Sequence, residues 1–319
     1  MLLKLIERAI CIMSGDCAVS SRKVLSIQSH VVHGYVGNKS ATFPLQVLGF
    51  EADAVNSVQF SNHTGYKCVK GQVLQEKELS DLIEGLKAND ILQHYTHLLT
   101  GYIGSATFLT EIVKTVEKLR QANSQLVYVC DPVLGDGGKL YVPENLVPIY
   151  REQIIPLANV VTPNQFEVEL LTQTKITNEQ DVWSAMEWFH SRNVNIVVVS
   201  STDFGSSDIL RAYLSVKEGG KYAMDIPRQG DGTDFTGTGD LFASLLLAHI
   251  SLQKDPVKAF EYTVSTLQHT IKATLDALPK DVKDGKRKMN VFEKELKLVQ
   301  CKRFIENPTT TIKAHCISK

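Results

Sequence analysis

The chain has 319 residues, of which 43% are hydrophobic and 22% charged, the balance of an ordinary globular protein. Its formal net charge of −1 excludes the basic excess that binding to nucleic acid or to an anionic membrane would call on, and no apolar run approaches the ~18 residues of a membrane-spanning helix. The six cysteines (Cys11, Cys17, Cys68, Cys130, Cys301 and Cys316) show no zinc-like pairing and read as reduced thiols of a cytoplasmic protein rather than a disulfide framework.

Residues 1–22 read as an appended N-terminal extension, amphipathic or disordered. Lys4, Glu7 and Arg8 interrupt its apolar stretch before a signal-peptide core can form, and the acidic Glu7 counts against a transit peptide. Residues 23–319 read as a single domain without internal repeats. Val24–Ile27 is the first of several short apolar runs with the character of buried strands, and it ends at Gln28-Ser29. Val58-Gln59-Phe60 leads into a dense polar loop, Ser61–Tyr66. His63 taken alone is more often a packed or surface histidine than a catalytic one, whereas the loop as a whole suits a flat polar heterocycle.

Leu98-Leu99 ends at Thr100-Gly101-Tyr102, and a helical period follows over Phe108–Arg120. Leu126–Cys130 ends at Asp131-Pro132, with Asp136 close behind. Two carboxylates just past a strand are hard ligands suited to Mg²⁺ or a monovalent cation beside a triphosphate; an Asx-type turn with a solvated Asp136 is the competing reading. Gly137-Gly138 predicts a mobile segment able to fold over a nucleotide. Asn159–Val161 ends at Thr162-Pro163-Asn164, where Asn164 and Glu167 share one face of a helix start. They form a capping box, orient phosphate or metal, or do both. Asp181–His190 reads as helix and Ile196–Val199 as a strand ending at Ser200-Ser201. Strands alternating with helices predict an α/β fold with a mostly parallel central sheet flanked by helices on both faces. Ligands then bind beyond the carboxyl ends of the strands, where the Ser, Thr, Asp and Asn residues collect.

The densest signal is Asp234-Phe235-Thr236-Gly237-Thr238-Gly239-Asp240, running into the apolar stretch Leu241–Ala248. Two glycines free consecutive N–H groups to turn toward one point, and the N-terminus of a buried helix adds partial positive charge there. Asp240 then sets a carboxylate on the first turn beside this anion hole, with Thr236 or Thr238 available to cap the helix. An anion cradle touching a general base is what transfer of a phosphoryl group to an alcohol requires; a plain helix cap at Asp240 is the alternative. Beyond it, Pro256–Leu275 reads as helix, Pro279–Lys288 as a charged linker, Val291–Gln300 as helix and Thr309–Ile312 as an edge strand.

Gly-Thr-Gly-Asp at Gly237–Asp240, Asp-Pro-Val-Leu-Gly-Asp at Asp131–Asp136 and Thr-Pro-Asn-x-x-Glu at Thr162–Glu167 together resemble the ribokinase-like superfamily of small-molecule kinases. Within it, Ser26–Asn38 and Asn56–Tyr66 are similar to motifs of the pyridoxal kinases, and the match runs from about Val24 through the C-terminal region. The resemblance implies ATP-dependent phosphorylation of the 5′-hydroxymethyl group of pyridoxal, pyridoxine and pyridoxamine by direct in-line transfer. Carried over by position, it implies Asp240 as the base and Gly237, Thr238 and Gly239 as the cradle of the transferring phosphoryl group. Ser29 and Thr64, with His63, would meet the pyridine ring, and Val36, Val58, Phe60 and Tyr102 would wall it. Asn164, Glu167, Ser200, Ser201, Thr238, Asp231, Gly232 and Thr233 would contact ATP. Asp136 would hold Mg²⁺ or another divalent cation; Asp131, Thr162 and Ser200 would hold K⁺ or Na⁺. The resemblance also implies a homodimer. A hydroxymethylpyrimidine kinase shares the anion hole and is the rival enzyme, distinguished by the Ser26–Ser29 strand end and the Ser61–Tyr66 loop. A non-catalytic vitamin-binding protein on the same fold is the rival from another class, against which the base and the glycines both count.

Overall fold

Alternating side chains of each central strand must bury on two opposite faces, and the packing shows this directly. In the computed structural model, which describes residues 22–230 and 235–318, Leu25, Ile27, Leu98, Tyr128, Cys130, Val161, Val197 and Val199 enter one apolar cluster, while Val24, Leu99, Val129, Val160 and Val198 enter another. A strand buried on both faces reads as a continuous apolar run rather than an alternating one, which is why these runs were legible. The expected extension, apart from Arg22, and the expected nucleotide contacts Asp231, Gly232 and Thr233 lie outside the described residues.

The first half of the chain forms β1 (Lys23–Val31), α1 (Asn38–Val47), β2 (Glu51–Phe60), β3 (Gly71–Val73), α2 (Glu76–Ala88), β4 (His97–Thr100), α3 (Ala106–Ala122) and β5 (Val127–Cys130). A small hairpin follows, β6 (Gly135–Asp136) and β7 (Lys139–Leu140), then α4 (Leu146–Ile149), β8 (Val160–Val161), α5 (Gln165–Thr172), α6 (Glu179–His190) and β9 (Ile196–Thr202). The second half adds β10 (Ile209–Val216), β11 (Lys221–Pro227), α7 (Thr238–Gln253), α8 (Pro256–Asp276) and β12 (His315–Ser318).

All strands except the hairpin join one ten-stranded sheet in the order β12-β11-β10-β9-β8-β5-β4-β1-β2-β3. From β9 to β2 every neighbouring pair is parallel; the outer strands pair antiparallel. Helices α2, α3, α5 and α6 cover one face and α1, α7 and α8 the other. This is the expected α/β sandwich. Helix α7 is buried over Leu241–His249 without a solvent face, because it lies between the sheet, α1 and α8, and Leu241 and Leu245 also join a third cluster with Phe235, Leu296 and Leu298.

Two expected elements near the C-terminus are different. Val291–Gln300 holds only 3₁₀ turns at Phe292–Lys294 and Val299–Cys301. Between them the chain runs extended at Glu295 so that Leu296 and Leu298 both bury in the third cluster. The edge strand lies at His315–Ser318 rather than Thr309–Ile312, whose Thr311 and Ile312 N–H groups instead donate to the Ser265 hydroxyl of α8 at 3.0 and 3.3 Å.

Candidate active site

Gly237 is the N-cap of α7 with φ +84°, and a Cβ there would lie 2.0 Å from the Tyr35 carbonyl oxygen. Only glycine fits both the left-handed backbone and the close approach. Neither threonine caps the helix as expected: among the described residues no side chain bonds the first-turn N–H groups, and the Thr238 hydroxyl donates backward to the Phe235 carbonyl at 3.3 Å. The open end of a long, buried helix therefore faces outward with its donors available to an anion. Gly239 is exposed there.

Asp240, on that first turn, is half-buried, and its carboxyl is pushed up to about 6 by burial, against the Gly37 N–H that favours the charged form. Across Gly239, whose added Cβ would be 3.7 Å from Asp131 Oδ2, stands the second acid. Asp131 at the end of β5 is pushed up to about 7 by burial and by the Asp240 charge, while the Thr162 hydroxyl donates to its Oδ1 at 3.0 Å and opposes the rise. The two carboxyls are thus a pair that resists carrying two negative charges.

The ends of β8 and β9 extend this edge. Ser200 donates to the Pro163 carbonyl through its N–H at 3.0 Å and its hydroxyl at 3.5 Å, and Ser201 beside it is half-buried. Asn164 and Glu167 form the capping box of α5: Asn164 Oδ1 accepts from the Glu167 N–H, and Glu167 Oε2 from the Asn164 N–H, both at 2.9 Å. The box also grips the next loop, since Glu167 Oε1 accepts from the Leu134 N–H at 3.0 Å and Asn164 Nδ2 donates to the Gly135 carbonyl at 2.9 Å. Burial and the Asp131 charge hold the Glu167 carboxyl well above the usual range. Asp136 is exposed on the β6–β7 hairpin, where its Oδ1 accepts from the Gly137 N–H at 2.7 Å. The segment expected to be loose is a two-residue turn with Gly137 and Gly138 at φ +53° and +79°, the left-handed pair that closes a tight hairpin.

The other side of the site comes from β1, β2 and their loops. Strand β1 continues past Ile27 to Val31, and its register with β2 shifts between Gln28 and His30, leaving Ser29 at the irregularity. Gly37 packs directly on it: a Cβ at Gly37 would lie 2.0 Å from the Ser29 carbonyl and 2.4 Å from its hydroxyl. One glycine thus packs on Ser29 while its N–H favours the charged form of Asp240. Val36 and Val58 are buried, Phe60 and Tyr102 half-buried, and the Ser57 hydroxyl donates to the Tyr102 carbonyl at 2.9 Å, tying the ends of β2 and β4. Thr64 is exposed at the tip of the polar loop.

Sequence reasoning singled out no acid in Val291–Gln300, yet Glu295 is buried against this loop. Tyr66 donates its hydroxyl to Glu295 Oε1 at 3.3 Å, and His63 Nε2 stands 3.3 Å from the same oxygen. The Tyr35 N–H donates to Oε2 at 3.1 Å. Burial alone would raise the Glu295 carboxyl, but His63, the Tyr35 N–H and Tyr66 outweigh it and hold it below the usual range.

Among the described residues no group of three or more His, Cys, Asp or Glu side chains gathers to hold a metal, and no helix is long and apolar enough to cross a membrane. Mg²⁺ bound through nucleotide phosphates and water needs only one or two carboxylates. The Asp131–Asp240 pair, one acid buried and the other half-buried, is the kind of charge a cation relieves, so the donor set fits one.

Three comparisons bear on this arrangement. A family model described as phosphomethylpyrimidine kinase matches residues 49–283. The chain is 49% identical over 294 residues to a pyridoxal kinase of Arabidopsis thaliana, covering 92% of this chain and 94% of that one. It is 47% identical over 308 residues to a human pyridoxal kinase, covering 92% and 97%. Its structure is similar to that of a pyridoxal kinase from Leishmania donovani in complex with ADP and pyridoxamine, with TM-score 0.85, 36% identity, and coverage of 93% of this chain and 100% of that one.

Proposed function

The chain belongs to the pyridoxal kinases and, through residues 49–283, to the family described as phosphomethylpyrimidine kinase, and we propose that Asp240 is the base of its reaction. It is an ATP-dependent kinase that phosphorylates the B6 vitamers. The finer reading is direct in-line transfer to the 5′-hydroxymethyl group, with Asp240 taking the hydroxyl proton and the open N–H groups at Gly237, Thr238 and Gly239 receiving the charge that develops on the phosphoryl group. The observation that carries it is the placement of Asp240 on the first turn of α7, whose end no side chain among the described residues caps, with the Gly37 N–H favouring its charged form and Gly37 itself packed on Ser29.

Ser29, Thr64 and His63 meet the ring in this reading, with Val36, Val58, Phe60 and Tyr102 as its walls; Asn164, Glu167, Ser200, Ser201 and Thr238 face the nucleotide. Asp136 would hold Mg²⁺ or another divalent cation, and Asp131, Thr162 and Ser200 would hold K⁺ or Na⁺. These ions, when bound, neutralise phosphate charge next to the acid pair. We further propose a cytoplasmic homodimer whose residues 23–319 act as one domain.

Formation of pyridoxal phosphate from pyridoxal and MgATP, followed by absorbance with and without potassium, tests the reading. Asp240→Ala is expected to lose at least about 10²-fold in turnover, the scale of removing a positioned base; near-normal turnover would remove Asp240 from the mechanism. Preference for hydroxymethylpyrimidine over pyridoxal in direct competition would favour the rival enzyme.

A further inference from the structure

Glu295 lies far along the chain from every residue assigned to the substrate, and its carboxylate is buried where two of the loops that carry them meet. Its Oε1 takes the Tyr66 hydroxyl and faces His63 Nε2, both in the Ser61–Tyr66 loop, and its Oε2 takes the N–H of Tyr35, in the loop that leads to Gly37. The contact is close: a Cβ at Gly34 would come within 2.3 Å of both carboxylate oxygens. The backbone is tied in as well, since Thr236 bridges to Glu295 and its N–H donates to the Lys294 carbonyl at 3.4 Å, one residue before the anion hole opens at Gly237. The His63 and Tyr66 rings meet edge-on at 4.8 Å, so fixing one fixes the other.

A buried carboxylate is costly to leave unpaired, and this one satisfies its oxygens with donors from two separate loops. It therefore sets where those loops stand relative to each other. We propose that Glu295 is a positioning residue for the vitamin ring: it acts through Tyr66, His63 and Tyr35 to hold the Ser61–Tyr66 loop over the substrate and the Tyr35–Gly37 segment against Asp240. The inference rests on the reading of that loop as the ring-binding loop. Among the described residues assigned to the nucleotide, none is a hydrogen-bond or ion-pair partner of Glu295, so its loss should fall on the vitamin side of the reaction.

The test is initial-rate kinetics of Glu295→Gln, Glu295→Ala and Tyr66→Phe, with pyridoxal varied at saturating MgATP and MgATP varied at saturating pyridoxal. Glu295→Ala is expected to raise KM for pyridoxal about tenfold, the scale of losing bonds to a charged group, with KM for ATP unchanged within about twofold. Glu295→Gln keeps an oxygen for one donor and should fall between Ala and the parent. Tyr66→Phe removes only one donor and leaves the buried acid in place, so it reports even if the Glu295 variants fail to fold. It should raise KM for pyridoxal alone, and in the double variant with Glu295→Gln the effects should add to less than their sum. Unchanged KM for pyridoxal in Tyr66→Phe, or equal rises for both substrates, overturns the proposal. If the parent protein forms no pyridoxal phosphate, the reading of the site has failed instead, and the two failures are distinguished.

Discussion

Burial lifts the Asp240 carboxyl to about 6 even as the Gly37 N–H pulls the other way, so the group works close to its own titration point. A base acts only as the carboxylate, and proton uptake begins as pH falls through that value. The acidic limb of log kcat/KM for pyridoxal should therefore bend near pH 6, about two units above an ordinary aspartate. A limb that bends near 4 would show that the free enzyme holds Asp240 as an ordinary solvated acid. Asp131 carries the complementary cost. Its carboxyl is raised to about 7, so the folded protein holds the proton more tightly than the unfolded chain, and stability falls as pH rises from the ordinary carboxylate range to about 7, above which the loss is complete. Asp131→Asn keeps an oxygen for the Thr162 hydroxyl and removes the charge. It should raise Tm by a few degrees at pH 8, with most of the gain gone by pH 4, where the folded acid is protonated and the unfolded one about half so; for a chain this long a few degrees corresponds to about 1–2 kcal/mol. A gain that persists unchanged at pH 4 would mean that packing, not charge, is responsible.

The anion hole is a property of an element, the start of α7, and its glycines can be separated by what a methyl group would meet. Gly237 and Gly49 have nearly equal φ, +84° and +86°, so alanine costs both the left-handed penalty of ~1–2 kcal/mol. At Gly49 a Cβ meets nothing within 4 Å, whereas at Gly237 it meets the Tyr35 carbonyl at 2.0 Å. Gly49→Ala should lower Tm by a few degrees and leave turnover near that of the parent. Gly237→Ala must push Tyr35 away from the mouth of the helix and should also lose at least about tenfold in turnover, since misplacement by ~1 Å costs up to 10²-fold. Equal turnover in the two variants would detach the hole from catalysis. The same element shows why some local structure was legible and some was not. Asn164 and Glu167 announced a capping box because capping depends on residues three apart in sequence. The α7 start carried its caps in sequence too, but Thr238 turned back to Phe235 because Gly237 already supplies the left-handed residue that ends the loop. Glu295 gave no local signal. Its extended backbone is fixed by Leu296 and Leu298 in a distant cluster and by loops at Tyr35 and Tyr66, contacts that no window of sequence contains.

At the scale of the whole molecule, the parallel centre of the sheet was legible because each of its strands is a short apolar run closed by polar residues, and those closures fall on one edge where Ser29, Asp131, Thr162 and Ser200 gather. The antiparallel flank was not. Strands β10 and β11 mix Arg211, Asp225 and Pro227 with apolar residues, because a flank near the sheet edge is only partly covered. What the topology brings together comes from both ends of the chain: Ser29 and Gly37 near its start, Asp240 and Glu295 near its end, with the proposed nucleotide residues between. The sheet that holds them is continuous from β3 to β12. If residues 23–319 are one cooperative domain, a ligand bound at this edge must stabilise all of it. At 100 times its Kd a ligand adds about 2.7 kcal/mol, which raises Tm by about 4 °C in a chain of this size. Calorimetry with pyridoxal alone, ADP alone and both should therefore show one transition that each ligand moves upward, and the two together furthest. Two transitions, with pyridoxal moving only one and ADP only the other, would divide the chain into separately folding halves and place the site at their junction.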